Sequence, residues 1–134
     1  MYTASERGDI SSVRAALDRG EDVNNRKGHK NTPLMIAVYH GYTSVVSLLL
    51  SQSGVDLTAR DRCGDTALHW ACMGGADGIV RMLLSRLGEE GCNARDNLNE
   101  TPLMVAVQYN RLTTVRVMCE QERVRMEGTE ELAR

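Results

Sequence analysis

The chain has 134 residues, 42% hydrophobic and 25% charged, with a formal net charge of -2. That length suits one domain and buries roughly two-thirds of its unfolded surface, so the core needs no disulfide or metal staple. The charge balance excludes a nucleic-acid binder that works by bulk electrostatics, which requires clustered Lys and Arg, and no apolar run approaches the roughly 18 residues of a membrane span.

Phe is absent and Trp70 is the single Trp, so the core is expected to be aliphatic. The N-terminal MYTASERGD has no apolar signal-peptide core. A cytoplasmic or nuclear location is expected, with Cys63, Cys72, Cys92 and Cys119 as free thiols.

Residues 1–24 hold a first pair of helices. Ala4, Gly8, Val13, Ala16 and Leu17 reappear at the same spacing as Ala37, Gly41, Val46, Leu49 and Leu50, and this first unit is short at its front. In residues 25–58, Thr32 is a good N-cap and Pro33 a good first helical residue. That helix should end near Gly41, since Gly tolerates a left-handed stop. A second helix follows, apolar at Val45, Val46, Leu48, Leu49 and Leu50, with i, i+3, i+4 spacing.

Residues 59–93 repeat the scheme with Thr66, Ala71, Gly75, Ile79, Val80, Met82, Leu83 and Leu84. Asp61-Arg62-Cys63-Gly64 carries the Asp and Gly of a β-turn. Residues 94–127 repeat it again with Thr101-Pro102, Ala106, Asn110, Thr114, Val115, Val117, Met118 and Cys119. Thr32, Thr66 and Thr101 are 34 and 35 residues apart. Val23, Leu57 and Cys92 anchor the polar connections, and from the next residue to the following Thr is always eight. Ser53 and a residue near Glu89 read as one-residue insertions after the second helix. Residues 128–134 are a polar tail. The next opening Thr would fall at about position 135, so the end reads either as a polar cap, which solenoids require, or as the point where further repeats follow in a longer parent.

Helices of about nine or ten residues are marginal alone in water. They must pack on each other and on the next pair, and small Ala37, Ala71 and Ala106 permit close approach.

The pattern resembles the ankyrin repeat family, marked by T-P-L-H-x-A about every 33 residues. The best match is Thr66-Ala67-Leu68-His69-Trp70-Ala71, followed by Gly75, Ile79-Val80 and Leu83-Leu84. The resemblance implies an all-α repeat solenoid of helix-turn-helix units joined by β-turn or hairpin loops. It implies that His69 closes its helix start by hydrogen bonding near Thr66. Met35 and Met104 stand where the family has His, so those bonds should be lost in two units.

No Ser-His-Asp set, nucleophile elbow or Gly-rich phosphate loop appears, so no enzyme and no cofactor are expected. Cys63, His69 and Cys72 could suggest zinc, but structural zinc wants four ligands in tight pairs. The register puts Cys63 on a turn tip and aligns Cys72 with Val38 and Val107, Cys92 with Leu57, and Cys119 with Leu50 and Leu84. Three cysteines therefore read as core residues, no metal site is expected, and Cys63 should react first with a thiol reagent. Arg26, Lys27, His29 and Lys30 form a basic patch that either solvates a turn or meets an acidic partner segment. Trp70 aligns with Ile36 and Val105, which reads as a core residue with an edge left for a partner.

Stacked units make a curved slab, and curved solenoid surfaces bind other molecules. The positions free to vary are Glu6, Arg7, Tyr39, His40, Met73, Gln108 and Tyr109 on the first helices. On the turns they are His29, Asn31, Arg62, Cys63, Asp65, Asn97, Leu98 and Glu100. The resemblance implies that such positions bind another protein or peptide; nucleic acid, membrane and small-molecule substrates are not expected, and the unbound chain should be a monomer. The function expected is a non-catalytic adaptor, scaffold or inhibitor, or else the recognition domain of a larger multidomain enzyme, ubiquitin-ligase component or channel.

Overall fold

The computed structural model describes residues 1–26 and 31–126. His29, most of the basic patch and the tail 128–134 lie outside the described residues. Within them the chain forms an all-α repeat solenoid of nine helices and no strand. None of these helices is long and apolar enough to cross a membrane.

The first helix of each pair is set by its ends. α1 (Tyr2–Arg7), α3 (Pro33–His40), α5 (Ala67–Gly74) and α8 (Pro102–Gln108) are these first helices. Thr32, Thr66 and Thr101 sit in extended backbone, and each hydroxyl accepts the N–H of the residue three further on. This satisfies one of the donors that every helix start leaves open. The stops are left-handed residues: Gly8, Gly41, Gly75 and Asn110 have φ of 68°, 74°, 70° and 57°. The N–H that follows each stop then reaches back to a carbonyl of the recurring alanine. Asp9, Tyr42, Ala76 and Arg111 donate to Ala4, Ala37, Ala71 and Ala106 at 3.1, 3.0, 3.1 and 2.9 Å. That bond turns the chain sharply into the second helix.

The second helices are α2 (Ile10–Asp18), α4 (Thr43–Leu50), α6 (Asp77–Leu84) and α9 (Leu112–Cys119). A further short helix, α7 (Glu89–Cys92), occupies the connection after α6, where the sequence suggested only one inserted residue. The interval from the last helix leucine to the anchor grows from Leu17–Val23 to Leu50–Leu57 to Leu84–Cys92, that is 6, 7 and 8 residues. The longest interval has room to wind one turn. Gly91 permits it, since a Cβ there would meet Leu87 Cδ2 at 2.7 Å.

First helices stack in the order α1, α3, α5, α8, and second helices in the order α2, α4, α6, α9. The principal contacts join helices of one pair or of neighbouring pairs, so the array is linear. Val13, Leu34, Leu49, Leu68, Leu83, Leu103 and Met118 are fully buried along its length. Each such side chain contributes roughly 1.5–3 kcal/mol by leaving water.

Polar ties repeat at the same period. Arg26 donates to the Arg60 carbonyl at 3.0 Å, and Arg60 donates to the Arg95 carbonyl. Asn24 donates to the Gly54 carbonyl and accepts the Asp56 N–H; Asn93 does the same with Arg123 and Arg125. At the outer helices, Arg86 caps the Leu50 carbonyl and Arg123 caps the Leu84 and Leu87 carbonyls. A cation suits a helix C-terminus because the exposed carbonyls there carry partial negative charge.

One sequence reading is corrected. Cys119 is exposed, not a core residue, because α9 has no following pair to cover it among the described residues. Trp70 is half-buried, packed against the core with part of its ring left on the first-helix side of the slab.

Leu49→Ala or Leu83→Ala should destabilise the chain by about 2–5 kcal/mol, since each leaves a cavity between pairs. Denaturant melts read this directly, and the loss should spread beyond one pair because stability is shared between neighbours.

Candidate functional site

The exposed side of the first helices and the turn tips form two adjoining grooves. The first holds about 300 Å³ and is lined by Glu6, Asn31, Met35, Ile36, Tyr39, His40 and Trp70. The second holds about 590 Å³, between the tips before α5 and α8 and the outward faces of those helices. Arg62, Cys63, Asp65, Met73, Asn97, Leu98, Glu100, Gln108 and Tyr109 line it, together with Trp70, Asp96 and Val105.

Trp70 stands between the grooves. Its Nε1–H donates to Asp61 Oδ2 at 2.8 Å, and its ring meets Tyr39 edge-on, with centroids 5.5 Å apart and planes at 82°. Those two contacts hold an aromatic surface in place without covering it. Tyr39 is 64% exposed, Tyr109 46% and Leu98 79%.

The tips are rigid for local reasons. The Asp61 N–H donates to the Asp65 carbonyl and the Gly64 N–H to the Asp61 carbonyl. Asp61 Oδ1 accepts the N–H groups of Cys63 and Asp65, and Asp96 Oδ1 accepts those of Leu98 and Glu100. The two tips are joined where Asn97 donates its N–H to Cys63 and its amide to Arg62. Gly64 is required at this crossing: its φ is 78°, and a Cβ would lie 2.8 Å from the Asn97 backbone nitrogen.

His69 ties the two units below the groove. Its Nδ1 accepts the Thr66 N–H at 3.1 Å while the Thr66 hydroxyl accepts the His69 N–H, a complete capping box. Its Nε2–H donates to the Glu100 carbonyl at 2.8 Å. Burial holds this imidazole below its usual pKa, so it is neutral. At Met35 and Met104 only the Thr half of the box remains.

Asp65 lies against this imidazole. It is 7% exposed, because the tip folds its carboxyl inward, onto the groove wall. Burial pushes that carboxyl up to about 7, with further contributions from its hydrogen bond to Asp96 and the charges of Asp61, Asp96 and Glu100. For Asp96 burial acts in the same direction, but the Glu100 N–H, the bond from Asp65 and the Leu98 N–H outweigh it and hold that carboxyl below its usual value. Asp65 Oδ1 has no hydrogen-bond partner.

Two sets of donor atoms lie within 4.8 Å of one another: Asp61, Cys63 and Asp65, and Asp65, His69 and Asp96. Cys72, which the sequence grouped with Cys63 and His69, belongs to neither set. Both nitrogens of His69 and both oxygens of Asp61 already hold hydrogen bonds, which leaves these sets short of free ligands for a metal ion.

Of the candidate surface residues, Glu6, Asn31, Tyr39 and His40 line the first groove, and Arg62, Asp65, Met73, Asn97, Glu100, Gln108 and Tyr109 the second. Arg7 is exposed on α1 and lines neither. His29 lies outside the described residues. Sequence reasoning missed Asp96, which reads as a turn residue equivalent to Asp61, and left Trp70 out of the partner-facing positions although its register allowed an exposed edge.

The family model for ankyrin repeats in three copies matches residues 53–127, and one for ankyrin repeats in many copies matches residues 15–71. The photoreceptor ankyrin repeat protein of Homo sapiens is 36% identical over 88 residues, 63% of this chain and 20% of that protein. E3 ubiquitin-protein ligase KEG of Arabidopsis thaliana is 41% identical over 71 residues, 53% of this chain and 4% of the ligase. A transient receptor potential cation channel subfamily A member 1 homolog of Caenorhabditis elegans is 27% identical over 114 residues, 85% of this chain and 9% of the channel. The chain spans a fifth or less of the length of these relatives.

In the folded protein a thiol reagent should label Cys63 and Cys119 quickly and leave Cys72 and Cys92 unreacted until unfolding, because the latter two are buried. Mass mapping after brief labelling checks this. Asp65 has a folded pKa near 7, above its unfolded value of about 3.8. Its favourable contribution is complete below 3.8 and is lost as pH rises through 7. Asp65→Asn should therefore raise the melting temperature relative to the parent at pH 8, with the gain shrinking toward pH 5.

Proposed function

The chain belongs to the ankyrin repeat family, and from that premise we propose that it is a non-catalytic recognition module, an adaptor, scaffold or inhibitor, that binds a segment of a partner protein along its two grooves. Ankyrin repeats are in general protein–protein interaction modules. The observation that carries the reading is the concentration of Tyr39, Trp70, Met73, Leu98 and Tyr109 on one face. Aromatic residues and Met are enriched at protein interfaces, where they supply large contact area at small entropic cost. Free thiols at exposed Cys63 and Cys119 suit a reducing compartment, the cytoplasm or nucleus.

A second reading is supported by the relatives. Two of them are a ubiquitin ligase and a cation channel of which the matched segment is a small part. On that reading the same face recognises a partner on behalf of a larger protein.

Partners captured by the folded chain and identified by mass spectrometry give the binding assay. Tyr39→Ala with Tyr109→Ala should cost about 1–2 kcal/mol per residue in affinity, with circular dichroism and melting unchanged. Undiminished binding by that double variant would refute the assignment of the partner to this face.

A further inference from the structure

Building on the reading that the grooved face takes a partner protein, we propose that the second groove is a pocket for one Arg or Lys side chain of that partner. Asp65, Asp96 and Glu100 meet its charge, and Trp70 meets its flat or aliphatic part.

The charge of the lining is the first argument. Three carboxyl groups, from Asp65, Asp96 and Glu100, line the groove against the single cation Arg62. Among the described residues no ion pair joins Arg62 to any of the three. An acidic side chain entering here would meet like charges from two tips. The first groove has Glu6 as its one carboxylate, so of the two grooves on this face the second carries the excess.

Asp65 supplies the second argument. A carboxyl oxygen that is buried without a donor is costly, and native proteins rarely leave one so. Asp65 Oδ1 is such an oxygen, on a residue 7% exposed that lines the groove. An N–H donor arriving from the partner satisfies it. A bare metal ion is a poorer fit, because it needs several free ligands. The Asp61 oxygens and Asp96 Oδ1 are already taken by backbone N–H groups and the Trp70 indole. A guanidinium or ammonium needs only acceptors with a lone pair to spare.

Shape gives the third argument. Trp70 presents a fixed ring, and a cation over an indole face is attracted by its quadrupole. Met73, Leu98, Val105 and Tyr109 complete an apolar wall along which the methylene stem of Arg or Lys can lie. A volume of about 590 Å³ accommodates that side chain with its flanking backbone.

The test uses peptides selected from a randomised display library on the folded chain. Peptides whose capture is lost with Tyr109→Ala should share one enriched Arg or Lys. Replacing that residue by norleucine, or Glu100 by Gln, should weaken binding by about tenfold or more, as for truncating one partner of a buried charge pair. Asp65→Asn should do the same. Glu90→Gln removes an equal charge on α7, outside the groove, and should leave affinity within about twofold, as for a distant screened charge. Circular dichroism of each variant guards against misfolding, and the norleucine peptide is a test that changes nothing in the protein. Groove-dependent peptides that lack a basic residue, or that tolerate its replacement, overturn the pocket and leave the reading of the grooved face standing. A selection with no peptide sensitive to Tyr39→Ala or Tyr109→Ala overturns that reading as well.

Discussion

A helix of six to nine residues, as in these first and second helices, cannot persist alone in water, because the cost of nucleating it is spread over too few hydrogen bonds. The rest of the structure depends on that constraint. Each pair is completed only by its neighbours, through a continuous apolar layer from Val13 to Met118. Small Ala37, Ala71 and Ala106 sit fully buried where the first helices come together. The same alanines offer the carbonyls that turn the chain into the second helix. One position thus serves both close packing and chain reversal.

Stacking alone would leave many backbone carbonyls at helix ends and turns without donors. The array answers with side chains that reach across units. Arg26 and Arg60 hand the tips forward, Asn24 and Asn93 clasp the following connection, and Arg86 and Arg123 close the ends of the outer helices. These bonds add direction to a hydrophobic layer that has none of its own. They tie each unit to the next, and so hold together the face that carries the grooves. His69 is a further tie, joining its own helix start to the carbonyl of Glu100.

The second groove is where the pattern departs from full satisfaction. Two tips built alike each bring an acidic residue just ahead of the capping Thr, Asp65 and Glu100, and the turn Asp of the later tip lies beside the first. Charge crowds there at some cost to the free chain. Such unrelieved polar groups concentrate at functional sites, where a ligand supplies the missing contact.

The sequence by itself determined the repeat, the Thr and Pro starts, the Gly and Asn stops and the buried leucines. These are local signals, legible because capping and left-handed stops depend on a residue and its near neighbours. It also marked most of the groove-lining positions, since they are what remains once the structural positions are taken. The tertiary structure alone decided that Asp65 turns inward, that Trp70 stands between two grooves, that Cys119 stays exposed and that an eight-residue interval winds α7. The first two outcomes are set by what the adjoining unit places against the residue, and the third by the lack of a following pair over α9 among the described residues. Contacts between residues some 34 apart are created only when the units stack, and a period in the sequence states that they will stack without stating which atoms then meet.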